Sequence, residues 1–295
     1  MTVPLALACA KINLYLHVVG RRDDGYHLLD SMIVFAEAGD HIVVSPAADF
    51  ILTIDGPFGA GLTTGPDNLV LRAARALQEM CGVADGAAIH LTKNLPLASG
   101  IGGGSADAAA TLYSLIDLWQ VEVDRLALFR LAETLGADVP ACLLGQPCFV
   151  RGVGEKVQQA GLVPPAYLLL VNPLVETPTP AVFKARRGDF SAPVHWNLPP
   201  GMKRISVNPS AREFAEAIRT SCRNDLTEAA ICVTPAIADV LAAIEATDDC
   251  LLARLSGSGA TCFGLYESAA TADAAHRQIK TRHPNWWTVS APIAR

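Results

Sequence analysis

A glycine-rich segment constrains the fold more than any other part of this sequence. Residues 96–107 read PLASGIGGGSAD, and four of the five positions 100–104 are glycine. Because glycine has no Cβ, successive backbone N–H groups can approach one anion and point at it together. The surrounding residues predict a strand over 88–92 and a helix over 105–119, whose first turn adds unpaired N–H groups and a positive dipole end. The segment is typical of a phosphate-binding loop.

Two common nucleotide-binding loops do not fit this segment. A Rossmann loop has the pattern G-x-G-x-x-G, whereas residues 100–105 read GIGGGS and end in serine. A Walker A loop needs a glycine followed by lysine, and no lysine of this chain follows a glycine. Glycines also serve loops that only turn, so a structural turn without a ligand stays open at this stage.

Length and charge indicate a two-domain protein that acts on a small molecule. The chain has 295 residues, of which 51% are hydrophobic, and this length is typical of two domains with a core each. The net charge is −6 without any run of Lys or Arg, so nucleic acid is not an expected partner. The longest apolar stretches, such as 164–171, are far shorter than the roughly 18 residues of a membrane span, so we expect no membrane partner. Monomer and homodimer both remain open.

The cysteines and histidines indicate a reducing compartment. Eight cysteines are scattered without a C-x-x-C pair, which favours buried thiols in the cytoplasm over disulfides or a zinc cluster. The seven histidines contain no H-E-x-x-H spacing. We therefore expect a cytoplasmic protein without a metal ion held by histidine.

Hydrophobic periodicity predicts an α+β protein with two domains. The predicted strands are residues 5–19, 28–35, 41–44, 88–92, 167–171, 252–255, 261–266 and 287–291, and a hairpin is predicted around residues 152–155. The predicted helices are residues 67–81, 105–119, 124–135, 211–219, 236–246 and 269–281, and a short helix begins at Asp138. Pro164, Pro165 and the proline-rich stretch 172–180 place a domain boundary near residue 160. In the second half this order of elements suggests a sandwich with helices on one face of a sheet.

The first predicted strand carries polar side chains on one face. Residues 8, 10, 12, 14, 16 and 18 are apolar and alternate with Cys9, Lys11, Asn13, Tyr15 and His17. Lys11 and Asn13 therefore project together from a rigid element.

The motifs resemble those of the GHMP small-molecule kinases. Residues 96–109 read PLASGIGGGSADAA, which is similar to the phosphate loop of that family. Four more segments narrow the resemblance to members whose substrate carries a cytidine diphosphate: AKINL at 10–14, DGYH at 24–27, GADVP at 136–140 and SGSGA at 256–260. The resemblance is collinear over nearly the whole chain.

This resemblance implies a fold and an activity. The expected fold is a two-domain α+β GHMP kinase fold, with a ribosomal-protein-S5-like N-terminal domain over 1–160 and a ferredoxin-like C-terminal sandwich over 161–295. The active site is expected in the cleft between the domains. The implied reaction is direct transfer of phosphate from ATP with Mg²⁺ to the tertiary 2-hydroxyl of a cytidine-diphosphate-bearing methylerythritol, in the non-mevalonate isoprenoid pathway.

The resemblance also implies a catalytic pair, Lys11 and Asp138. Asp138 would accept the proton of the substrate hydroxyl, and Lys11 would hold that hydroxyl and the developing negative charge. From the residues alone, Asp138 serves equally well as the N-cap of the helix that Val139 and Pro140 begin. For Lys11 the alternative is a solvent-exposed strand lysine.

The remaining implied site residues bind nucleotide and substrate. The ATP and phosphate contacts are expected from Pro96, Leu97, Ala98, Ser99, Gly100, Ile101, Gly102, Gly103, Gly104, Ser105 and Ala106. Substrate contacts are expected from Asn13, Tyr26, His27 and Phe183, with the aromatic side chains clamping the cytosine. Ser105 opens the predicted helix and can cap it, bind phosphate or contact Mg²⁺. Asn68 can contact adenine, although a helix cap is the alternative that its position favours.

Purely structural roles remain as alternatives for the residues that are expected to bind substrate. Asn13 can pair with backbone, Tyr26 can pack beside the turn, and Phe183 can belong to the core. Another GHMP enzyme, such as a mevalonate or homoserine kinase, has no base to clamp, so Tyr26, His27 and Phe183 argue against it. A non-catalytic ligand sensor that kept the fold should have lost Lys11 or Asp138, and a dinucleotide-binding redox enzyme needs the loop pattern excluded above.

Overall fold

The computed structural model describes residues 5–161, 163–194 and 209–294. The helices are α1 (Leu69–Cys81), α2 (Gly103–Trp119), α3 (Arg125–Leu135), α4 (Val139–Leu144), α5 (Thr179–Ala185), α6 (Ala211–Ser221), α7 (Thr227–Val233), α8 (Ala236–Glu245) and α9 (Ala269–Arg282). The strands are β1 (Ala6–Arg21), β2 (His27–Ala47), β3 (Ile51–Asp55), β4 (Gly86–Thr92), β5 (Cys148–Gly152), β6 (Lys156–Gln159), β7 (Tyr167–Asn172), β8 (Leu252–Leu255), β9 (Cys262–Tyr266) and β10 (Trp287–Pro292).

One compact unit combines part of a sheet with helices α1 to α4. It consists of the described residues up to Lys11, Glu37–Leu97 and Gly102–Gly145. The C-terminal part of β2 pairs antiparallel with β4, which places Val44 opposite Ile89, and β4 pairs in parallel with β3. Helix α2 packs against α1 and α4, and its Leu112 is fully buried. These contacts bury the apolar faces that the sequence pattern predicts.

The second compact unit holds a four-stranded antiparallel sheet. It consists of Ile12–Ala36, Ala98–Ile101 and the described residues from Gln146 onward. The strand order is β10–β7–β9–β8, and helices α8 and α9 pack on this sheet. The hairpin β5–β6 pairs with the N-terminal part of β2, which places Asp30 opposite Arg151. Leu169, Phe263 and Ile244 are fully buried within this unit.

Capping groups explain where several helices begin and end. The side chain of Asn68 accepts a hydrogen bond from the backbone N–H of Val70, and α1 ends at Gly82 in the left-handed conformation. Asp124 caps α3 through the N–H of Ala127. Ser210 and Glu213 form a capping box at the start of α6. The first cap confirms that Asn68 is a helix cap, and its predicted contact with adenine stays a prediction.

The region 27–47 forms one strand where the sequence predicts two. Gly39 lies inside β2, and a Cβ built on it would lie 2.1 Å from the carbonyl oxygen of Ala8. The glycine is therefore needed for a close approach of β1 and β2 and not for a turn. Asp40 is fully buried, although an acidic residue ordinarily marks a break in a strand pattern. The predicted gap over 36–40 is wrong because these two residues have tertiary roles.

Three other elements were not predicted from the sequence. Strand β3 is short, and Ile51 at its start is exposed, so its pattern is weak. Helix α5 follows the proline-rich stretch, where Pro180 occupies a first-turn position that suits proline. Helix α7 has only seven residues, Thr227–Val233.

On β1 the polar face is buried together with the apolar face. The alternation of polar and apolar residues in this strand therefore does not mark a solvent-exposed face.

The predicted domain boundary near residue 160 stays a prediction. The compact units of the structure are not contiguous along the chain, because β1 and β2 each contribute residues to both. Among the described residues, no helix has the length and apolar character needed to cross a bilayer.

Candidate active site

Lys11 and Asp138 form a direct ion pair in the first unit. The Nζ atom of Lys11 lies 3.0 Å from Oδ2 of Asp138, although 127 positions separate the residues in sequence. Lys11 is only 5% exposed, while the Asp138 side chain is 41% exposed. The lysine is thus not the exposed strand lysine of the alternative interpretation. Its ammonium group is buried against a carboxylate that solvent or a ligand can still reach.

The structure tests whether Asp138 caps the helix that follows it. Asp138 precedes α4 with φ −88° and ψ −13°, and its side chain makes no capping hydrogen bond within the described part of the chain. A capping side chain would accept from an N–H of the first helical turn. The carboxylate is directed to Lys11 instead, so Asp138 is not a helix cap, and its role as a base stays a prediction.

Gly102 lies directly against Lys11 in the same unit. It is the N-cap residue of α2 and has a left-handed φ of +64°. A Cβ built on Gly102 would lie 3.2 Å from Cβ and 3.3 Å from Cε of Lys11. The start of α2 therefore lies next to the Lys11 stem only because residue 102 has no side chain.

Helix α2 begins earlier than the sequence predicts. Its first residue is Gly103, so Ser105 lies inside the first turn and is not the N-cap, which corrects that interpretation. The N–H of Ala106 makes the first helical bond, to the carbonyl of Gly102 at 2.9 Å, which leaves the N–H groups of residues 103–105 without a helical partner. Among the described residues, nothing lies within 4 Å of a Cβ built on Gly104. Unpaired N–H groups beside open space suit an anionic group.

A buried cluster of three charges supports the start of α2, and the sequence did not reveal it. Lys93 Nζ donates to Asp40 Oδ2 at 2.5 Å and to Asp107 Oδ2 at 2.6 Å. All three side chains are almost completely buried. Asp40 Oδ1 also accepts from the N–H groups of Asn94 and Leu95, at 2.6 and 2.8 Å. The cluster therefore links the chain entering the glycine-rich loop to the helix leaving it.

Burial and the neighbouring charges of this cluster shift the pKa of Asp107. Burial raises the pKa of Asp107 to about 7, with Lys93 acting against the rise and Asp40 adding to it. Its Oδ1 atom has no hydrogen-bond partner among the described residues. The available sequence signal was Lys93, a lysine that directly follows a predicted strand and precedes the glycines. Its two carboxylate partners lie 53 and 14 positions away, so periodicity did not connect them.

In the second unit, the central part of the glycine-rich loop packs on a second glycine loop, 256–260. The hydroxyl of Ser256 donates to the carbonyl of Gly100 at 3.2 Å, and the N–H of Thr261 donates to the carbonyl of Ser99 at 3.1 Å. Gly100 has φ +76°, and a Cβ on it would lie 2.6 Å from the carbonyl oxygen of Ser256. These contacts hold the loop backbone in place and require glycine at position 100.

Asn13 is buried in the second unit, and only the nitrogen of its side-chain amide is hydrogen-bonded within the described residues. Its Nδ2 donates to Ser31 Oγ at 2.8 Å, and its backbone N–H donates to Ser256 Oγ at 3.2 Å. Its Oδ1 atom lacks a partner within the described residues. The side chain thus does more than pair with backbone, and it retains an acceptor for a ligand.

The aromatic residues predicted to clamp a base lie partly together. The rings of His27 and Phe183 stack with centroids 5.0 Å apart and an interplanar angle of 27°. Tyr26 is 66% exposed beside the turn that joins β1 and β2. Burial lowers the pKa of His27, and the positive charges of Arg21 and Arg186 lower it further. The imidazole is therefore neutral near pH 7, and its ring stacks on that of Phe183.

Comparison with known families and structures agrees with this geometry. The GHMP kinases N terminal domain matches residues 68–146, and the GHMP kinases C terminal domain matches residues 203–285. A homoserine kinase structure from Cytophaga hutchinsonii has a TM-score of 0.70 at 18% identity, covering 99% of this chain and 94% of that one, and so shares the fold.

More similar proteins identify the family more narrowly. A 4-diphosphocytidyl-2-C-methyl-D-erythritol kinase of Paramagnetospirillum magneticum is 54% identical over 286 residues, which are 97% of each chain. The Cereibacter sphaeroides enzyme of the same name is 49% identical over 293 residues, covering 98% of this chain and 99% of that one. A crystal structure of 4-(cytidine 5'-diphospho)-2C-methyl-D-erythritol kinase has a TM-score of 0.80 at 34% identity, covering 99% and 100% of the two chains. The ion pair at the start of α2, the two-unit fold and these full-length matches show that the chain belongs to the 4-diphosphocytidyl-2-C-methyl-D-erythritol kinase family of the GHMP kinases.

Proposed function

We propose that this protein transfers the γ-phosphate of ATP to the 2-hydroxyl of 4-diphosphocytidyl-2-C-methyl-D-erythritol, in the non-mevalonate route to isoprenoid precursors. The observation that carries the proposal is the Lys11–Asp138 ion pair beside Gly102, at the start of α2. Phosphoryl transfer needs positioning and charge stabilisation more than covalent chemistry, and these groups supply both.

The proton and the developing charge are handled by the ion pair. The Asp138 carboxylate accepts the proton of the attacking hydroxyl, and the Lys11 ammonium group stabilises the negative charge on the reacting oxygens. Because Lys11 is buried, its charge acts in a medium with weaker screening than water. The chain therefore assembles the base and the cation before substrate arrives, and no phosphoenzyme is needed.

The glycine-rich loop, residues 96–106, is proposed to bind the phosphates of ATP. The unpaired N–H groups of residues 103–105 and the positive end of the α2 dipole favour an anion there. The buried Lys93 offsets the negative charges of Asp40 and Asp107, which would otherwise repel a phosphate.

Mg²⁺ is proposed to accompany the nucleotide. Mg²⁺ in kinases is held largely by phosphate oxygens with one or two protein groups. The described residues contain no group of three or more His, Cys, Asp or Glu side chains that could hold a metal ion, which fits an ion held mainly by ATP. The partly exposed Ser105 hydroxyl, in the first turn of α2, is the protein oxygen that we assign to it. When bound, the ion neutralises charge on the transferred phosphate.

The stacked pair His27–Phe183 and the exposed Tyr26 are proposed to bind the cytosine of the substrate. A flat apolar surface suits a base, and the neutral His27 can hydrogen-bond to its edge. Asn13 is proposed to contact the alcohol end. The net charge of −6 supports a small-molecule partner and not nucleic acid, and the scattered cysteines support a cytoplasmic location.

Replacing Asp138 tests the catalytic assignment. Asp138→Asn is expected to lower kcat by about 10²- to 10⁴-fold, the usual contribution of a general base, while KM for ATP stays within severalfold. Asp124→Asn is the matched control, because Asp124 also precedes a helix but caps it, and asparagine caps equally well. Steady-state kinetics of both variants gives the answer. An Asp138→Asn enzyme with wild-type turnover would refute the assignment.

The acceptor is tested by offering several alcohols to the wild-type enzyme in a coupled ADP-release assay. We expect turnover of the cytidine-diphosphate-bearing methylerythritol and none of mevalonate or homoserine, because those lack a base to stack on His27 and Phe183. Turnover of only the free alcohols would reject the proposed substrate while leaving the kinase assignment intact.

A further inference from the structure

The orientation of the buried Asn13 amide is fixed by a neighbouring hydroxyl. Asn13 is 3% exposed, its Nδ2 atom is satisfied by Ser31, and its Oδ1 atom has no partner among the residues that the structure describes. Buried acceptors without a partner destabilise a folded protein and are rare. Such an atom at a proposed substrate site points to a ligand group that donates a hydrogen bond to it.

Ser31 can hold the amide in only one of its two orientations. Its Oγ lies 2.5 Å from the backbone carbonyl oxygen of Tyr15, and a carbonyl can only accept. The single hydroxyl proton of Ser31 is therefore used on Tyr15, and Ser31 must accept from Asn13. An amide turned by 180° would place Oδ1 against a lone pair of Ser31 Oγ. The chain Asn13 Nδ2 to Ser31 Oγ to Tyr15 carbonyl thus directs Oδ1 away from Ser31.

A glycine, Gly257, lies close to Oδ1 of Asn13. A Cβ built on Gly257 would lie 3.5 Å from Asn13 Oδ1, so any side chain at 257 would contact this atom. Gly257 also has φ +57°, which favours glycine. Because residue 257 is glycine, it has no side chain that could cover the unused acceptor.

We propose that Ser31 is a positioning residue that presents Asn13 Oδ1 to a substrate hydroxyl next to the reacting one. This inference rests on the proposed function, because 2-C-methyl-D-erythritol carries hydroxyl groups on both carbons that flank the reacting carbon. Asn13 follows Lys11 by two positions on β1, and alternate residues of a strand project from the same face. A polyol that donates to Asn13 Oδ1 satisfies the buried acceptor, whereas an analogue without that hydroxyl leaves it unpaired.

Substitutions at Ser31 test the proposal through the kinetics of each substrate. Ser31→Ala removes the acceptor for Nδ2, so we expect kcat/KM for the cytidine-bearing alcohol to fall by about tenfold, the effect of one neutral hydrogen bond, with KM for ATP within twofold. Ser31→Thr keeps the hydroxyl and should stay within about twofold of wild type. Thr111→Val is the matched control, because Thr111 also donates from a buried hydroxyl to a backbone carbonyl, at 2.7 Å, and should leave kcat/KM unchanged. If Ser31→Ala does not fold, Ser31→Cys replaces the hydroxyl with a thiol, whose sulfur is a much weaker acceptor, and should also lower kcat/KM for this alcohol.

A double-mutant cycle separates positioning from general structural damage. If Ser31 acts through Asn13, then Ser31→Ala should cause no further loss of kcat/KM in the Asn13→Ala background. Additive losses would overturn the proposal, as would wild-type kinetics for Ser31→Ala. A wild-type enzyme that ignores the cytidine-bearing alcohol would instead reject the proposed function, so the two failures can be told apart.

Discussion

Substituting alanine for Gly102 should damage catalysis by displacing Lys11. A Cβ at position 102 would lie 3.2, 3.3 and 3.5 Å from Cβ, Cε and Cδ of Lys11, which is tighter than ordinary van der Waals contact. Because Lys11 is buried and held by Asp138 at 3.0 Å, its stem must shift by a few tenths of an ångström. Gly102→Ala therefore perturbs the proposed catalytic pair, Lys11 and Asp138, without removing either residue.

The expected sizes follow from this geometry. An L-residue in the left-handed region is disfavoured by roughly 1–2 kcal/mol, and alanine regains part of this by restricting the unfolded chain, so we expect a net loss of about 1 kcal/mol in unfolding free energy. A misplacement of about 1 Å can lower a rate by about 100-fold, so a shift of a few tenths of an ångström should lower kcat by roughly tenfold or less. KM for the acceptor should change little, because Asn13 and the aromatic residues are untouched.

Gly82→Ala is a closely matched control for the backbone effect. Gly82 has φ +63° against +64° for Gly102, it ends α1 in the same unit, and nothing among the described residues lies within 4 Å of its Cβ position. Both variants should lose a similar amount of unfolding free energy in chemical denaturation, whereas steady-state kinetics should show a loss only for Gly102→Ala. Equal kcat values for the two variants would refute the reasoning.

Two further predictions concern the start of α2. Gly104→Ala should raise the unfolding free energy by up to about 1 kcal/mol, because alanine favours a helix more than glycine does. It should also raise KM for ATP severalfold, because the added methyl group enters the space proposed for the phosphates. An unchanged KM for ATP would contradict the proposed phosphate site. Asp107→Asn should gain stability relative to wild type as pH rises from about 4 to about 7, by at most about 1.4 kcal/mol per pH unit. The pKa of Asp107 is raised by burial to about 7, so the folded protein binds more protons than the unfolded chain in this range and wild-type stability falls; a flat difference between the two denaturation curves would contradict this.

The local elements could be predicted largely from the sequence, because periodicity and caps are local. Residues 252–255 form β8 as predicted, and α1, α3 and α9 begin or end within two residues of their predicted bounds. The family resemblance predicted that Lys11 and Asp138 lie together, and the structure places them in contact. The residues around Asp138 alone could not decide between cap and base, since that depends on a side chain 127 positions away.

The buried charge cluster shows what the sequence pattern could not give. Asp40 lies in the gap between the predicted strands 28–35 and 41–44, yet it is buried within a single strand because Lys93 and two backbone N–H groups satisfy it. Asp107 likewise lies in the alanine-rich helix α2, and its partner Lys93 lies outside that helix. A charge that looks misplaced in a local pattern is explained only by a partner that the fold brings to it.

The hydroxyl of Ser256 also bears on how the protein folds. It accepts from the backbone of Asn13 and donates to the carbonyl of Gly100, across sequence separations of 243 and 156 positions. Contacts between residues so far apart in sequence form only after long loops of the chain have closed, which costs conformational entropy. We therefore expect them to form late and to contribute little to the stability of the folding transition state. Loss of this hydroxyl would then speed unfolding far more than it slows folding, and the kinetic lifetime of the folded enzyme would depend on the same atom that joins its two glycine loops.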